Sequence, residues 1–267
     1  MAYAMTTRSA LLYLGALLRL NLAGVLARPF LAVASSAMML GNNLIWFLIW
    51  VIYFANFSSL RGWERADLAL LMGIVAWAFG LTMLLCGGVR DIAQTIVEGG
   101  LDCHLGRPRH PLPGLLMRRV VPSAPGDLAS AFLFWLWLAE RSPGELPLLL
   151  LVASTAAVVL TATATLIQCL AFWLPGAVPL CDELFNAFMM VAVYPQHPFG
   201  LTVRLALFTV FPTAFVGLLP VEAVRDPDPL KMLALLAAAL IYAALAVIVF
   251  GRGLRRYASG NQMVELR

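Results

Sequence analysis

The fold is decided by the stretch from Leu31 to Phe57, LAVASSAMMLGNNLIWFLIWVIYFANF, which carries no charged residue over 27 positions. A helix that crosses the hydrocarbon core of a bilayer needs about 20 apolar residues, because the core is about 30 Å thick and each residue adds about 1.5 Å. We therefore expect residues 31–57 to form a membrane-spanning helix.

Three other stretches of the chain are also long, apolar and free of charge. They are residues 68–89, 146–174 and 232–250, and they predict three more spans. We expect these spans over residues 66–89, 146–174 and 231–251.

Two shorter apolar segments predict a third and a fifth span. The first covers residues 120–139 and carries Asp127 in its first turns, and the second covers 201–220 and contains Pro212. Segment 183–195 is either a half-helix at the membrane face or an early start of the fifth span. The sequence thus predicts an all-α polytopic membrane protein, with six transmembrane helices in a single domain over residues 1–267.

The composition agrees with this class and excludes others. Apolar residues make up 62% of the chain and charged residues 12%, whereas a soluble domain is about 45–50% apolar and about 25% charged. This excludes an ordinary cytosolic enzyme, a disordered chain and a nucleic-acid-binding domain. The net charge of +4 is spread between the apolar runs, so we expect membrane lipid and no nucleic acid as a partner.

The distribution of basic residues predicts the orientation. With the amino terminus inside, thirteen of the eighteen basic residues fall in cytoplasmic segments and five fall outside. Because short cytoplasmic loops carry the excess of Lys and Arg, six spans with both termini in the cytoplasm are predicted. Leucines at spacings of three and four before residue 27 predict an amino-terminal amphipathic helix at the membrane interface.

Motifs for catalysis are missing from the sequence. It contains no Gly-x-x-x-x-Gly-Lys-Ser/Thr loop, no His-Glu-x-x-His and no Gly-x-Ser-x-Gly. We therefore expect neither an enzyme nor a cofactor or metal held by this chain. The four cysteines form no Cys-x-x-Cys pair, and we expect them to be reduced, small apolar residues.

Two other classes of membrane protein fit this sequence less well. A secondary carrier or channel would need a charge inside the membrane, but the four long stretches contain none, and Asp127, Asp182 and Glu183 are expected at interfaces. A membrane-embedded enzyme would need clustered Asp, His or Ser in the spans, and no such cluster is present. Asn42 and Asn43 lie in the middle of the first span. They either line a substrate path or hold neighbouring helices together.

The most polar segment is Arg90–Arg119, RDIAQTIVEGGLDCHLGRPRHPLPGLLMRR. Its pattern predicts a short helix to Glu98, a break at Gly99 and Gly100, one more helical turn, and a stop at Pro108. A plain connector between two helices needs only 2–8 residues. The segment is therefore either an elaborate inert loop or a surface presented to another protein.

Three blocks of this sequence resemble a family of bacterial type-2 ABC export permeases. Between spans two and three, IVEGGLD at 96–102 and LGRP at 105–108 resemble the family pattern I-x-x-G-x-(L/I)-D-x-x-L-x-(R/K)-P. The second block is Tyr194-Pro195 with Arg204, Phe208 and Pro212, and the third is FGRGLRRYASG at 250–260. The blocks occur in family order and cover most of the chain.

The resemblance implies the membrane subunit of an ABC exporter in the bacterial plasma (inner) membrane. ATP and Mg would be bound by a separate ATP-binding cassette subunit present in two copies, and a second permease, identical or paralogous, would complete the assembly. The cargo would be a hydrophobic or amphipathic compound. The coupling segment would cover about 90–110 and contact the ATPase.

We expect a distinct role for each of several residues in this segment. Gly99 and Gly100 allow a sharp turn, Leu101 and Leu105 present an apolar knob, and Pro108 ends the element. Glu98 and Asp102 either pair with basic residues of the ATPase or cap their own loop, and Arg107 pairs with an acidic rim or a lipid phosphate. A substrate path between permease subunits is expected to be lined by Asn42, Asn43, Phe208, Phe211 and Phe215.

Overall fold

The computed structural model describes residues 7–56, 63–105, 110–195, 207–209 and 211–257. Eleven helices of the described part carry labels here. They are α1 (Thr7–Leu26), α2 (Pro29–Asn56), α3 (Arg65–Cys86), α4 (Ile92–Val97), α5 (Asp102–Leu105), α6 (Pro111–Leu116), α7 (Ala124–Leu133), α8 (Leu146–Gln168), α9 (Val178–Val193), α10 (Leu218–Arg225) and α11 (Pro229–Arg256). The all-α expectation is confirmed.

Four helical stretches of the described residues are long and apolar enough to cross a membrane. They are Pro29–Asn56, Arg65–Val97, Pro143–Phe172 and Pro229–Arg256. Two shorter apolar helices cover Leu12–Leu26 and Ala124–Leu138. The second of these corresponds to the expected span over 120–139, and it is shorter because Ser123 and Pro125 mark its first turn.

Helix α3 lies at the centre of the bundle because three glycines on one side let other chain segments approach its backbone. A Cβ at Gly73 would lie 2.3 Å from the indole nitrogen of Trp135, and one at Gly80 would lie 2.8 Å from the Cβ of Asp127. A Cβ at Gly87, just beyond the helix, would lie 2.9 Å from the carbonyl oxygen of Arg119. The segment from Arg119 to Trp135 therefore runs along α3 at backbone distance, as small residues permit between membrane helices.

Helix α2 packs on the other side of α7 in the same manner. A Cβ at Gly126 would lie only 2.1 Å from the carbonyl oxygen of Ser36. The Ser36 hydroxyl also donates a hydrogen bond of 3.1 Å to the carbonyl oxygen of Pro122. These contacts hold the start of α7 between α2 and α3.

Neutral polar side chains join α3 to α8 inside the bundle. The Thr82 and Thr161 hydroxyls are hydrogen-bonded at 3.0 Å, and the Trp77 indole donates to Ser154 Oγ at 3.1 Å. A polar bond between apolar helices satisfies groups that lipid cannot satisfy. The polar face of α8 therefore serves helix packing.

The described part of segment 201–220 differs from the expected single helix. Phe211 has a non-helical backbone, and Pro212–Phe215 form one 3₁₀ turn before α10 begins at Leu218. Pro212 lacks an N–H to continue a helix. Arg225 of α10 then forms an ion pair of 3.2 Å with Asp67, so α10 lies beside the first turn of α3.

The amino-terminal and carboxy-terminal helices meet the same end of the bundle. Asn21 of α1 donates a hydrogen bond of 2.6 Å to the carbonyl oxygen of Met117, next to α6. At the end of α11, a Cβ at Gly253 would overlap the ring of Phe172, which follows α8. We call this end, which also holds α4, α5 and α6, the α4 end.

The first prediction concerns the contact between α2 and α7. Gly126→Ala should lower the free energy of unfolding by about 1–3 kcal/mol, because the added methyl group meets a helix carbonyl that cannot yield without moving α2. Thermal unfolding of the purified protein measures this. Gly251→Ala is the matched control, since a Cβ there meets open space, and equal behaviour of the two variants would contradict the packing argument.

Candidate functional site

The α4 end is assembled around two adjacent glycines. A Cβ at Gly88 would lie 2.1 Å from the carbonyl oxygen of Leu115, in α6. With Gly87 against Arg119, this places the turn after α3 directly on the backbone of the segment that leads into α7. The close approach requires glycine, because any side chain would push the two segments apart.

The Asp91 side chain connects the same two segments through ion pairs. Its Oδ2 lies 2.9 Å from Arg118 Nη2 and 3.0 Å from Arg119 Nε. Arg118 also donates from Nη1 to Thr95 Oγ1 at 2.7 Å. The Asp91 side chain is mostly shielded from solvent. Its carboxylate pairs with two guanidinium groups and so holds the start of α4 to the segment that leads into α7.

Helices α8 and α9 hold α4 from the other side. Gln168, which is buried at the end of α8, accepts a hydrogen bond of 2.9 Å from the backbone N–H of Ala93. Arg90 lies 3.7 Å from Asp182 of α9, and its guanidinium carbon is 5.0 Å from the centre of the Phe185 ring. The short helix α4 and the turn before it are therefore held by Arg118 and Arg119 ahead of α7, by the end of α8 and by α9.

Gly99 and Gly100 end α4 in a Schellman motif. Gly99 has φ +76°, a left-handed conformation that favours glycine. The Gly100 N–H donates to the Thr95 carbonyl at 2.9 Å, and the Gly99 N–H donates to the Ile96 carbonyl at 3.3 Å. The sequence predicts a sharp turn here, and the structure contains one. Glu98 precedes it with an exposed side chain that accepts a hydrogen bond from Gln94.

The two leucines after the turn behave differently. Leu101 is fully buried in the core of this chain, so the expectation that it belongs to an exposed knob is wrong. The backbone reversal at Gly99 directs the chain so that Leu101 anchors α5 from within. Leu105 is 46% exposed, and Asp102 beside it is exposed as well. Arg107 and Pro108 lie outside the described residues.

The structure brings the carboxy-terminal block of the sequence to this element, which the sequence analysis did not predict. Burial and the negative charge of Asp102 raise the pKa of Tyr257 to about 12. The ring of Phe250 lies 5.9 Å from that of His110 and 5.6 Å from that of Phe172. Two motif blocks that are distant in sequence therefore form one folded unit.

A cavity of about 350 Å³ lies between α2, α3 and α9, with Asp127 of α7 in its wall. Its size is within the range of small-molecule sites. The lining is largely apolar and rich in methionine. Its aromatic and polar members are Asn42, Asn43, Trp46, Phe79, Arg90, Asp127, Phe185, Asn186 and Tyr194.

The two asparagines expected on a substrate path both line this cavity. Asn43 also joins helices, because its Nδ2 donates to Asp127 Oδ1 at 2.9 Å and to Ser130 Oγ at 3.0 Å. Asp127 is 1% exposed, so the expectation that it lies at an interface is wrong. The reason is the close approach at Gly80 and Gly126, which encloses the first turn of α7 between its neighbours.

The three phenylalanines expected on the same path lie elsewhere. Phe208 and Phe215 are in ring contact at 5.2 Å, and Phe215 is 6.3 Å from Tyr242 of α11. Phe211 contacts Phe188 of α9 at 6.0 Å. The structure therefore places Phe208 and Phe215 against α11 and Phe211 against α9, and all three are absent from the wall of the cavity described above.

Asp127 is the residue that sequence reasoning missed. A carboxylate near the start of an apolar segment is as consistent with an interface as with the interior. The available signal was the sequence Pro125-Gly126-Asp127, in which the glycine permits another helix to come close.

Together these features define a multi-pass helical membrane protein with a folded element attached to one end of its bundle. The model of a family described as ABC-2 family transporter protein matches residues 40–260. The chain therefore belongs to the ABC-2 family of transporter proteins, and it is a membrane permease of the ABC-transporter type. Neither the curated proteins nor the solved structures contain a match.

The second prediction concerns the Asp91 contacts. Asp91→Ala should increase hydrogen exchange of the amides in α4 and α5 about fivefold or more, because loss of a partly buried ion pair makes local opening easier by about 1 kcal/mol. Hydrogen-exchange mass spectrometry of peptides covering 92–105 measures this. Asp182→Ala, which removes the longer and more exposed pair with Arg90, should change exchange less. A reversed order of the two variants would contradict the prediction.

Proposed function

We propose that this chain is the permease subunit of an ABC exporter that moves a hydrophobic or amphipathic compound across the bacterial plasma membrane. ATP, with Mg, is hydrolysed in a separate ATP-binding cassette subunit. The observation that carries this proposal is the element α4–α5, which is held by α8, by α9 and by the segment ahead of α7 and still presents Leu105 to solvent.

A rigid contact is what coupling between two subunits requires. Hydrolysis in the partner can move the permease only through an element that does not deform when it is pushed. The Asp91 contacts, the Gln168 hydrogen bond and buried Leu101 make α4–α5 such an element. Leu105 then offers an apolar side chain to a cleft of the ATPase, and a buried apolar anchor usually carries more binding energy than a rim charge such as Arg107.

Six crossings remain our proposal, with a revised fifth span. Helix α9 begins at the α4 end, where Asp182 pairs with Arg90, and Tyr194 just beyond α9 contacts Trp50 in the last turns of α2. Helix α10 lies at the opposite end beside Asp67. Helix α9 therefore connects the two ends of the bundle and replaces segment 201–220 as the proposed fifth span. Helices α1 and α11 both meet the α4 end, as an even number of crossings requires.

The assembly that we propose contains two ATPase subunits and two permeases, the second either identical or paralogous. Each ATPase would contact the α4 end of one permease. We place this end, together with α1 and the end of α11, in the cytoplasm, because most basic residues of the chain lie in the segments assigned to it.

The third prediction tests this orientation with the native cysteine at the α4 end. Cys103 is exposed, whereas Cys169 and Cys181 are buried and Cys86 is half-buried. A membrane-impermeant maleimide should label the protein, expressed without its ATPase, in inside-out vesicles and leave it unlabelled in intact cells. Pro227→Cys in a Cys103→Ser background places a thiol in the exposed turn before α11 and should show the opposite pattern. Labelling of Cys103 in intact cells would reverse the orientation.

The fourth prediction tests the coupling contact. Leu105→Asp should reduce copurification of the ATP-binding subunit and substrate-stimulated ATP hydrolysis at least tenfold, because a charge would enter an apolar cleft. Leu105→Met, which keeps the apolar contact, should retain both, and Arg107→Ala should lose less than Leu105→Asp. Equal amounts of each variant in the membrane show that the permease itself has folded.

Two results would overturn the proposal. Normal ATPase association and transport in Leu105→Asp would show that α4–α5 is not the docking element. Purification of the chain as an active homo-oligomer without an ATP-binding partner would favour the stand-alone carrier or channel.

A further inference from the structure

We propose that the cavity between α2, α3 and α9 selects organic cations through the carboxylate of Asp127. This inference deepens the proposed function, because it names the charge of the compound that this permease binds. It depends on the cavity being part of the path taken by the cargo.

The first observation is an unsatisfied buried oxygen. Asp127 is 1% exposed, and its Oδ1 accepts a hydrogen bond from Asn43, while Oδ2 has no hydrogen-bond partner among the residues that the structure describes. Buried polar atoms are nearly always paired, and a buried carboxylate without a counter-charge is costly. A cation in the adjacent cavity would supply the missing compensation.

The second observation is the position of Asp127 relative to the cavity. The residue belongs to the cavity wall and to the first turn of α7, where the helix dipole stabilises a negative charge. Its oxygens are shielded from water, so its field reaches a ligand through a medium of low dielectric constant, where attraction between charges is strong. Direct contact with the ligand is not needed for selection by charge.

The third observation is the composition of the rest of the wall. Trp46, Phe79, Phe185 and Tyr194 supply aromatic rings, whose faces attract cations. Four methionines add polarisable surface that adapts to ligands of different shape. Such a wall suits an apolar compound with a positive charge.

Arg90 is the other charged residue of the wall, and its charge is compensated within the chain. It pairs with Asp182 and lies over the ring of Phe185. Asp127 packs against Gly80 within α3, whereas Arg90 lies in the 3₁₀ turn Gly87–Asp91 that follows the end of α3. The negative charge of Asp127 and the positive charge of Arg90 therefore act on different parts of the cavity.

Binding of two ions with one shape and opposite charge tests the proposal. The full chain, with any ATPase that copurifies, is placed in lipid nanodiscs without nucleotide, and binding of tetraphenylphosphonium and tetraphenylborate is measured by equilibrium dialysis against empty nanodiscs. Wild-type protein should bind tetraphenylphosphonium saturably. Asp127→Asn, which preserves shape and can still accept the Asn43 hydrogen bond, should weaken this binding at least tenfold and leave tetraphenylborate binding unchanged or tighter. Asp127→Glu should retain preference for the cation.

The outcomes separate this inference from the proposed function. Equal binding of tetraphenylphosphonium by wild-type and Asp127→Asn protein overturns the role of Asp127, as does an equal loss of both ions, which would indicate a structural defect. If wild-type protein binds neither ion, the cavity is not a ligand site and the inference fails. Leu105→Asp should bind tetraphenylphosphonium normally even where ATPase association is lost, so failure of the coupling proposal leaves this result unaffected.

Discussion

The close approach of one chain segment to the backbone of α3 is the constraint on which the rest of the structure depends. Gly73, Gly80 and Gly87 are spaced seven residues apart, so they face the same side, and each meets a part of the segment from Arg119 to Trp135. Lipid tails are as apolar as the side chains, so moving an apolar side chain from lipid into a helix contact gains little free energy. Helix association therefore depends on van der Waals contact and on polar bonds. Small residues at a regular spacing provide that contact over the length of the helix.

This contact connects the two candidate sites. At Gly87 the approaching segment carries Arg119, which binds Asp91 and so holds α4. At Gly80, seven residues and about 10 Å away, the same segment carries Asp127 in the cavity wall. A displacement of α4 would therefore be transmitted to the start of α7, and from there to the cavity through the hydrogen bonds of Asn43. In the proposed exporter this contact would connect the ATPase-binding element to the cavity.

Residues of the proposed coupling element show which structural features local sequence patterns can predict. The turn at Gly99 and Gly100 could be predicted because two glycines after an amphipathic run have a local consequence, a positive φ and the end of a helix. The burial of Leu101 could not be predicted, because the orientation of a side chain after such a turn depends on what packs against it. The same limit applies to Asn42 and Asn43, whose position in the middle of a span was evident while their neighbours were not.

The sequence by itself determined the class of the protein, its long apolar helices, the absence of a P-loop and the helix break at Gly99 and Gly100, because all of these follow from composition and from local patterns. Only the tertiary structure decided that Asp127 is enclosed in the bundle, that Tyr257 meets the coupling element, and that segment 201–220 is broken in its described part. The physical reason is that each of these depends on contacts between residues far apart in the chain. A charge near the end of an apolar segment lies at an interface or in the interior according to which helices approach it, and here the glycines of α3 and α7 bring them close.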